Sequence, residues 1–216
     1  LEGALPSQID NAIEAFGLNM GPFRMMDLIG LDLGWRARKL AGVDSPLTNK
    51  IADTLCENER FGQKNSKGFY NYSEGSRAPN PAPENEEIYF KISEENGFTR
   101  REISDEEIVD RCILALVNEG AKILEEGVAQ RASDMDIVYI NGYGFPVWRG
   151  GPMFYANSLG LDKVLEKLKG FQEIDSDFWK PADLLEKLAK DELKFGEAPD
   201  INERKGKMKF PDIVGY

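Results

Sequence analysis

The chain has 216 residues, with 27 basic against 38 acidic side chains and a formal net charge of −11. It contains no histidine and two cysteines, which excludes any mechanism run by an in-chain His base, and zinc sites built on His or on four Cys. So acidic a chain lacks the basic footprint that nucleic acids or an anionic membrane surface would need, which argues against both as partners. The hydrophobic fraction of 41% supports a real core, and the longest uninterrupted apolar run, Cys112–Val117, is far shorter than a membrane span. Cys56 and Cys112 read as reduced intracellular thiols. The chain opens on Leu1-Glu2-Gly3 with no signal peptide visible, and a start at Leu1 with no initiator Met suggests a fragment or a processed chain.

In chain order, Ser7-Gln-Ile-Asp10 reads as a cap opening a short helix over Ile9–Phe16. Phe69-Tyr-Asn-Tyr72 and Ile88-Tyr-Phe-Lys-Ile92 are short strand candidates. Between them Ser73–Asn85, with three prolines, marks a linker. Ser104 and Glu107 form a capping box for a helix from about Asp105 to Glu126, with Gly127 placed as its C-cap. Ser133-Asp-Met-Asp136 is a second cap pattern, opening Met135–Ile140. Further helices read over Asp162–Lys169 and from Pro181 through Ala189. The expected class is mainly α.

An internal repeat organises these elements. Gly21-Pro22-Phe23 precedes Gly30-Leu31-Asp32 by the same interval as Gly151-Pro152-Met153 precedes Gly160-Leu161-Asp162. Upstream, Glu2-Gly3 and Ser7…Asp10 match Glu126-Gly127 and Ser133…Asp136. Two copies of one helical unit are expected, the first lacking the leading helix that precedes Glu126-Gly127 in the second.

Three motifs invite functional readings and are set against plainer ones. Ile137-Val-Tyr-Ile-Asn-Gly142-Tyr-Gly144 resembles the start of a dinucleotide-binding turn. Val147 stands where the third glycine should be, and the Ser133 cap makes the run helical. Phe61–Tyr72 carries two lysines and two glycines without P-loop order, and reads as a tight basic turn leading into an aromatic strip. Trp148–Tyr155 reads as core packing around a sharp turn, and Glu119, Glu125 and Glu126 as solvated or capping charges rather than acid catalysts.

Asn19-Met-Gly-Pro-Phe-Arg-Met-Met-Asp-Leu-Ile-Gly-Leu-Asp32 and Arg60–Tyr72 together resemble the C-terminal domain of 3-hydroxyacyl-CoA dehydrogenases. Arg111–Gly127 and Asn141–Tyr155 are similar to the second copy of that domain in the multifunctional β-oxidation enzymes. The resemblance spans about residues 1–195. It implies two tandem helical C-terminal domains: 1–75 (truncated), a Pro-rich linker at 76–99, a second copy at 100–195, and a tail at 196–216. It further implies an NAD-dependent (3S)-3-hydroxyacyl-CoA dehydrogenase parent of fatty acid β-oxidation. The catalytic His–Glu pair and the NAD site would lie in an upstream Rossmann domain, so that no catalytic residue and no metal belongs to this chain. The partners implied are that Rossmann domain, a hydratase domain and an acyl-CoA substrate. Asn19, Met20, Gly21, Pro22 and Phe23 match the segment that closes over the acyl end of the substrate. Gly142, Gly144, Phe145, Pro146, Gly151 and Pro152 match an interdomain turn.

Two departures accompany the match. Asp110-Arg111 stands where the family's substrate-contacting Asn-Arg pair would fall, which suggests a structural second copy, and Asn65-Ser66 replaces a usual Thr-Gly. Bacterial cytoplasm, mitochondrial matrix and peroxisome are all compatible with the reading. The contrasting expectation is a stand-alone, non-catalytic helical scaffold or interaction module.

Overall fold

The computed structural model describes residues 1–197. It divides into two compact units, Leu1–Phe16 with Met20–Ile108, and Gly17–Asn19 with the chain from Val109 onward. The fold is mainly α, with one two-stranded sheet among the described residues. No helix among the described residues is long and apolar enough to cross a membrane.

The first unit holds α1 (Pro6–Phe16), α2 (Pro22–Ile29), α3 (Asp32–Ala41), α4 (Lys50–Glu57), a hairpin of β1 (Asn71–Tyr72) and β2 (Pro79–Asn80), and α5 (Glu86–Glu95). The strands are antiparallel, with Asn71 opposite Asn80 and Tyr72 opposite Pro79. Leu31, Leu55, Cys56, Phe69, Tyr70, Tyr72 and Tyr89 form its core. α3 and α4 are tied by charge: the Arg38 guanidinium grips both oxygens of the nearly buried Asp53.

The second unit is built on α6 (Asp105–Glu125), α7 (Ala132–Gly142), α8 (Pro152–Leu159), α9 (Leu161–Phe171) and α10 (Asp183–Lys190). Leu114, Val117, Ala121 and Leu124 recur at intervals of three and four along α6, so they share one helix face. They pack with Met153, Val164, Leu168, Leu185 and Leu188. The Ser104 hydroxyl accepts the Glu107 amide at 3.1 Å, while the Glu107 carboxylate takes the Arg101 guanidinium. At the other end Gly127 is left-handed, and the Gly127 and Val128 amides close back on Leu124 and Ile123. That double closure terminates the helix in a Schellman turn. Asn118 on α6 fixes the approach to α10, donating to the Lys180 carbonyl and accepting the Ala182 amide, both at 2.9 Å.

Several expectations are corrected. Ser7 and Ser133 are not caps: α1 opens at Pro6 and α7 at Ala132, which puts both serines inside the first turn. The last helix begins at Asp183, because Ala182 is still extended. Ile88–Ile92 is helical, not a strand. Pro83–Asn85 form a tight turn that leads directly into α5, whose Tyr89, Ile92 and Ser93 are buried at helical spacing. Residues 76–99, read as a Pro-rich linker, thus carry β2 and α5 and lie within the first unit. Of Phe69–Tyr72 only the last two residues pair as strand, since the Phe69 and Tyr70 amides are turned inward to a carboxylate.

Burial is the largest single influence on the Asp53 carboxyl and by itself would raise it, but hydrogen bonding from Arg38 together with the Arg38 and Lys39 charges holds the group below the usual carboxylate range. A carboxyl lowered in the folded state stabilises above its unfolded pKa of about 4, and that stabilisation drains away as pH falls further. Asp53→Asn should therefore cost about 1–2 kcal/mol at neutral pH. The variant and the parent should converge in urea unfolding near pH 2 to 3.

Candidate functional site

The repeated Gly-Pro segments have a common physical cause. α2 begins Gly21-Pro22-Phe23, and its first amides point at Asp10 on α1. Phe23 N donates to Asp10 Oδ1 at 2.8 Å and Arg24 N to Oδ2 at 3.0 Å. α8 begins Gly151-Pro152-Met153, and there Met153 N donates to Asp136 Oδ1 on α7 at 2.8 Å. Phe154 N shares the same carboxylate. In each unit a buried aspartate on one helix caps the next. A carboxylate at a helix N-terminus satisfies otherwise orphaned donors and meets the positive end of the helix dipole. Proline fits the first position because it has no N–H to satisfy. The glycine before it is required by closeness: a Cβ at Gly21 would fall on the Asp10 side chain, and one at Gly151 on Asp136.

The first-unit turn is braced further. Glu14 accepts the Gly21 amide at 3.0 Å and holds the Arg24 guanidinium in a fork at 2.6 and 2.7 Å. Tyr70 donates its hydroxyl to Asp10 Oδ2 at 2.6 Å, and the Phe23 ring meets Phe69 edge-on with centroids 4.6 Å apart. Tyr70 is shared with a second buried carboxylate, Asp27 on α2. Asp27 accepts the Phe69 amide at 2.9 Å, the Tyr70 amide at 3.0 Å and the Tyr72 hydroxyl at 2.9 Å. Arg60 closes the shell with bonds to the Gly68 carbonyl and the Asn71 side chain, both at 2.8 Å. The basic, glycine-rich stretch Phe61–Tyr72 is thus a turn wrapped on Asp27. Its Lys64 pairs with Asp32 rather than lying open to a phosphate.

In the second unit Asn157 on α8 does related work with an amide. Its Oδ1 accepts the Phe195 N–H at 2.8 Å and its Nδ2 donates to the Phe195 carbonyl at 3.2 Å. Sequence reasoning missed Asp27 and Asn157. Their signal was available: they stand in the same register as the Gly-Pro repeat, each a polar residue inside an apolar helix.

Burial raises the carboxyls of Asp10, Asp27 and Asp136 above the usual range, and the N–H and O–H donors that point at them pull back. All three are engaged by the backbone and serve as caps or cores, not as bases open to a substrate. Burial pushes the Cys56 thiol up to about 12, which leaves it protonated and poorly nucleophilic. No cluster of three metal-ligating side chains occurs among the described residues.

Of the residues singled out from sequence, Met20, Gly21, Pro22 and Phe23 belong to the first unit, and Asn19 groups with the second. Gly142 ends α7, Gly144 is left-handed, Phe145 is buried, and Pro146 precedes a tight turn over Val147–Arg149. Gly151 and Pro152 open α8. Ile137–Ile140 lies in α7, so Gly142-Tyr-Gly144 does not follow a strand as a dinucleotide turn must. Asp110 is engaged by Lys167 of α9 at 2.5 Å, and the Arg111 guanidinium lies over the Phe171 ring.

Comparison with known proteins gives this architecture a family. The model of the 3-hydroxyacyl-CoA dehydrogenase C-terminal domain matches residues 1–72 and again 108–199. The peroxisomal bifunctional enzyme of Danio rerio is 42% identical over 204 residues, covering 87% of this chain and 28% of that protein. The fatty acid oxidation complex subunit alpha of Pseudomonas savastanoi pv. phaseolicola is 33% identical over 196 residues, covering 88% and 27%. Among solved structures, the dehydrogenase part of multifunctional enzyme 1 from C. elegans superposes with a TM-score of 0.69 at 31% identity, covering 86% of this chain and 42% of that one. The chain belongs to the 3-hydroxyacyl-CoA dehydrogenase C-terminal domain family. It spans little more than a quarter of the length of the curated relatives it matches.

The caps set the expected cost of disruption. Asp136→Ala leaves the first amides of α8 unpaired in a buried place, and should cost about 2–3 kcal/mol. Gly151→Ala should be at least as damaging, because the methyl forces the two helices apart. Chemical unfolding followed by Trp148 and Trp179 fluorescence measures both. A conservative surface change such as Glu166→Gln should stay within about 0.5 kcal/mol.

Proposed function

We propose that this chain is the helical C-terminal part of an NAD-dependent (3S)-3-hydroxyacyl-CoA dehydrogenase of fatty acid β-oxidation, carrying two tandem copies of one domain. The observation that carries the reading is the double match of one family model, supported by the same aspartate-capped Gly-Pro helix in both units. The names of the relatives, peroxisomal bifunctional enzyme and fatty acid oxidation complex subunit alpha, supply the reaction context.

In this reading the first copy forms the acyl-side wall of the substrate cleft, and the second supplies packing surface for the rest of the longer protein. Asp10, Glu14 and Arg24 clamp the turn Met20–Phe23, so that an apolar edge is presented without needing to be ordered at binding. Such a wall keeps water from the carbon that loses hydride and lines the first methylenes of the acyl chain. NAD⁺ would supply the hydride acceptor in the longer protein, but the residues described here do not fit it. Among the described residues the glycine turn Gly142-Tyr-Gly144 follows a helix and not a strand, and in this reading the dinucleotide and the catalytic base belong to another part of the longer protein. Asp110-Arg111 is held by α9, which supports a structural role for the second copy.

The chain alone, given NADH and acetoacetyl-CoA, should consume no NADH; clear turnover would place the base within these residues and overturn the reading. Fused behind the NAD-binding part of the zebrafish relative, it should restore turnover. There Met20→Ala should lower kcat/KM for long acyl chains about tenfold, the kinetic equivalent of ~1.4 kcal/mol, with a smaller effect on acetoacetyl-CoA. An equal effect on both substrates would remove Met20 from the acyl wall.

A further inference from the structure

A groove of about 520 Å³ opens on the second unit among α6, α7 and the start of α8, away from any role assigned above. Met135 and Met153 make its floor, and its depth depends on Gly120, where a Cβ would stand 2.7 Å from Met153 Sδ and 3.4 Å from Met135 Sδ. Thioethers are soft groups that adapt to irregular apolar side chains. Along α6 the lining runs from Leu116 to Ile123, roughly 10 Å of helix, and along α7 from Asp134 to Tyr143 just past its end, about 13 Å. That length accepts two turns of a further helix. Val128, Val138 and Tyr143 belong to the lining yet are more than half exposed, so the rim is apolar as well as the floor.

The charges in the lining are of one sign: Glu119 and Asp134, with no lysine or arginine. Asp134 is paired with Arg131 at 2.7 Å, which leaves Glu119, exposed on α6, as the charge presented to a ligand. The Tyr139 and Tyr143 rings, also in the lining, lie with centroids 5.2 Å apart. After burial, the neighbours that raise the Tyr139 phenol are Tyr143 and Glu119, so both phenols and the carboxylate share one corner of the groove. Ring faces beside a carboxylate hold a lysine or arginine head group by charge and by cation–π attraction, and disfavour an anionic ligand. A second copy of this chain, at a net charge of −11, is a poor occupant for the same reason. An apolar channel two helix turns long takes an amphipathic helix through residues at i, i+3 or i+4, and i+7. We propose that this groove docks a basic amphipathic helix of a separate partner protein, its apolar stripe on Met135 and Met153 and one of its cations at Glu119 and the tyrosine pair.

The test uses the full chain with isotope-labelled methionine methyls, titrated with a helical probe peptide of about 14 residues that carries one leucine face flanked by lysines. In NMR spectra the Met135 and Met153 methyl signals should move, while Met25 and Met26, exposed on α2 of the other unit, should stay in place. Two control peptides, with glutamate for each lysine or serine for each leucine, should bind about tenfold more weakly or worse. Val138→Arg and Glu119→Lys, both at exposed positions, should each weaken the lysine peptide about tenfold with circular dichroism and urea midpoint unchanged. The proposal is overturned if no groove signal moves, if the glutamate peptide binds as tightly, or if both variants leave the affinity unchanged. Equal movement of Met25 and Met26 also overturns it, since that is general adhesion of a cationic peptide to an acidic chain. Groove signals that shift with protein concentration before any peptide is added make a second copy the occupant. A fusion behind the NAD-binding part of the zebrafish relative that no longer takes the peptide makes the occupant the rest of the longer protein. Either result removes the separate partner.

Discussion

A buried carboxylate that caps the helix of its neighbour is the interaction on which each unit is built. Asp10 and Asp136 accept the opening amides of α2 and α8, and this single contact fixes three things. It sets the distance between two helices, because the carboxylate must touch the backbone. It demands glycine at the position before the proline, because no Cβ fits beside the aspartate. It turns the following helix across the first, so that Asp27 and Asn157, two turns along, face the segments that close each unit. An ionised carboxylate loses hydration on burial, and only the concentration of unpaired N–H groups at a helix N-terminus returns enough to hold it there.

The units then diverge at the second polar centre. Asp27 collects two amides and the Tyr72 hydroxyl, and Tyr70 links it to Asp10, so the first unit carries a connected network of two carboxylates and two phenols. Burial, with the Asp10 and Asp27 charges alongside, raises both phenols, which keeps them protonated as donors. Asn157 manages with one residue of backbone, since an amide both accepts and donates and needs no counter-donors. The charged version needs the long wrapped stretch Phe61–Tyr72 to supply its donors; the neutral version needs only Phe195.

Much of this was legible in the sequence. The Gly-Pro and Gly-Leu-Asp spacing exposed the repeat, and the α6 boundaries followed from Ser104 and Gly127, since capping is local chemistry. Ser7 and Ser133 were misread because a Ser-x-x-Asp string looks alike whether the aspartate serves its own helix or the next. The role of Asp10 and Asp136 is long-range, between residues 13 and 17 positions apart, and local patterns do not record it. Ile88–Ile92 misled in the opposite way: five residues of mixed aromatic and aliphatic character carry no clear period, and the preceding Pro83 turn decided the matter.

The contrast between the two centres bears on what each unit can tolerate. In the first, the turn Met20–Phe23 is bound through Asp10 to Tyr70, and through Tyr70 to Asp27 and the wrapped stretch; moving the turn means moving the whole network. Rigidity of that kind holds the turn in one arrangement. In the second, Asp136 takes only the opening amides of α8, and beside it the absence of a side chain at Gly120 leaves a groove over Met135 and Met153. The two aspartate-capped turns thus differ in setting: the first is braced into a rigid edge, and the second lies beside an adaptable apolar surface.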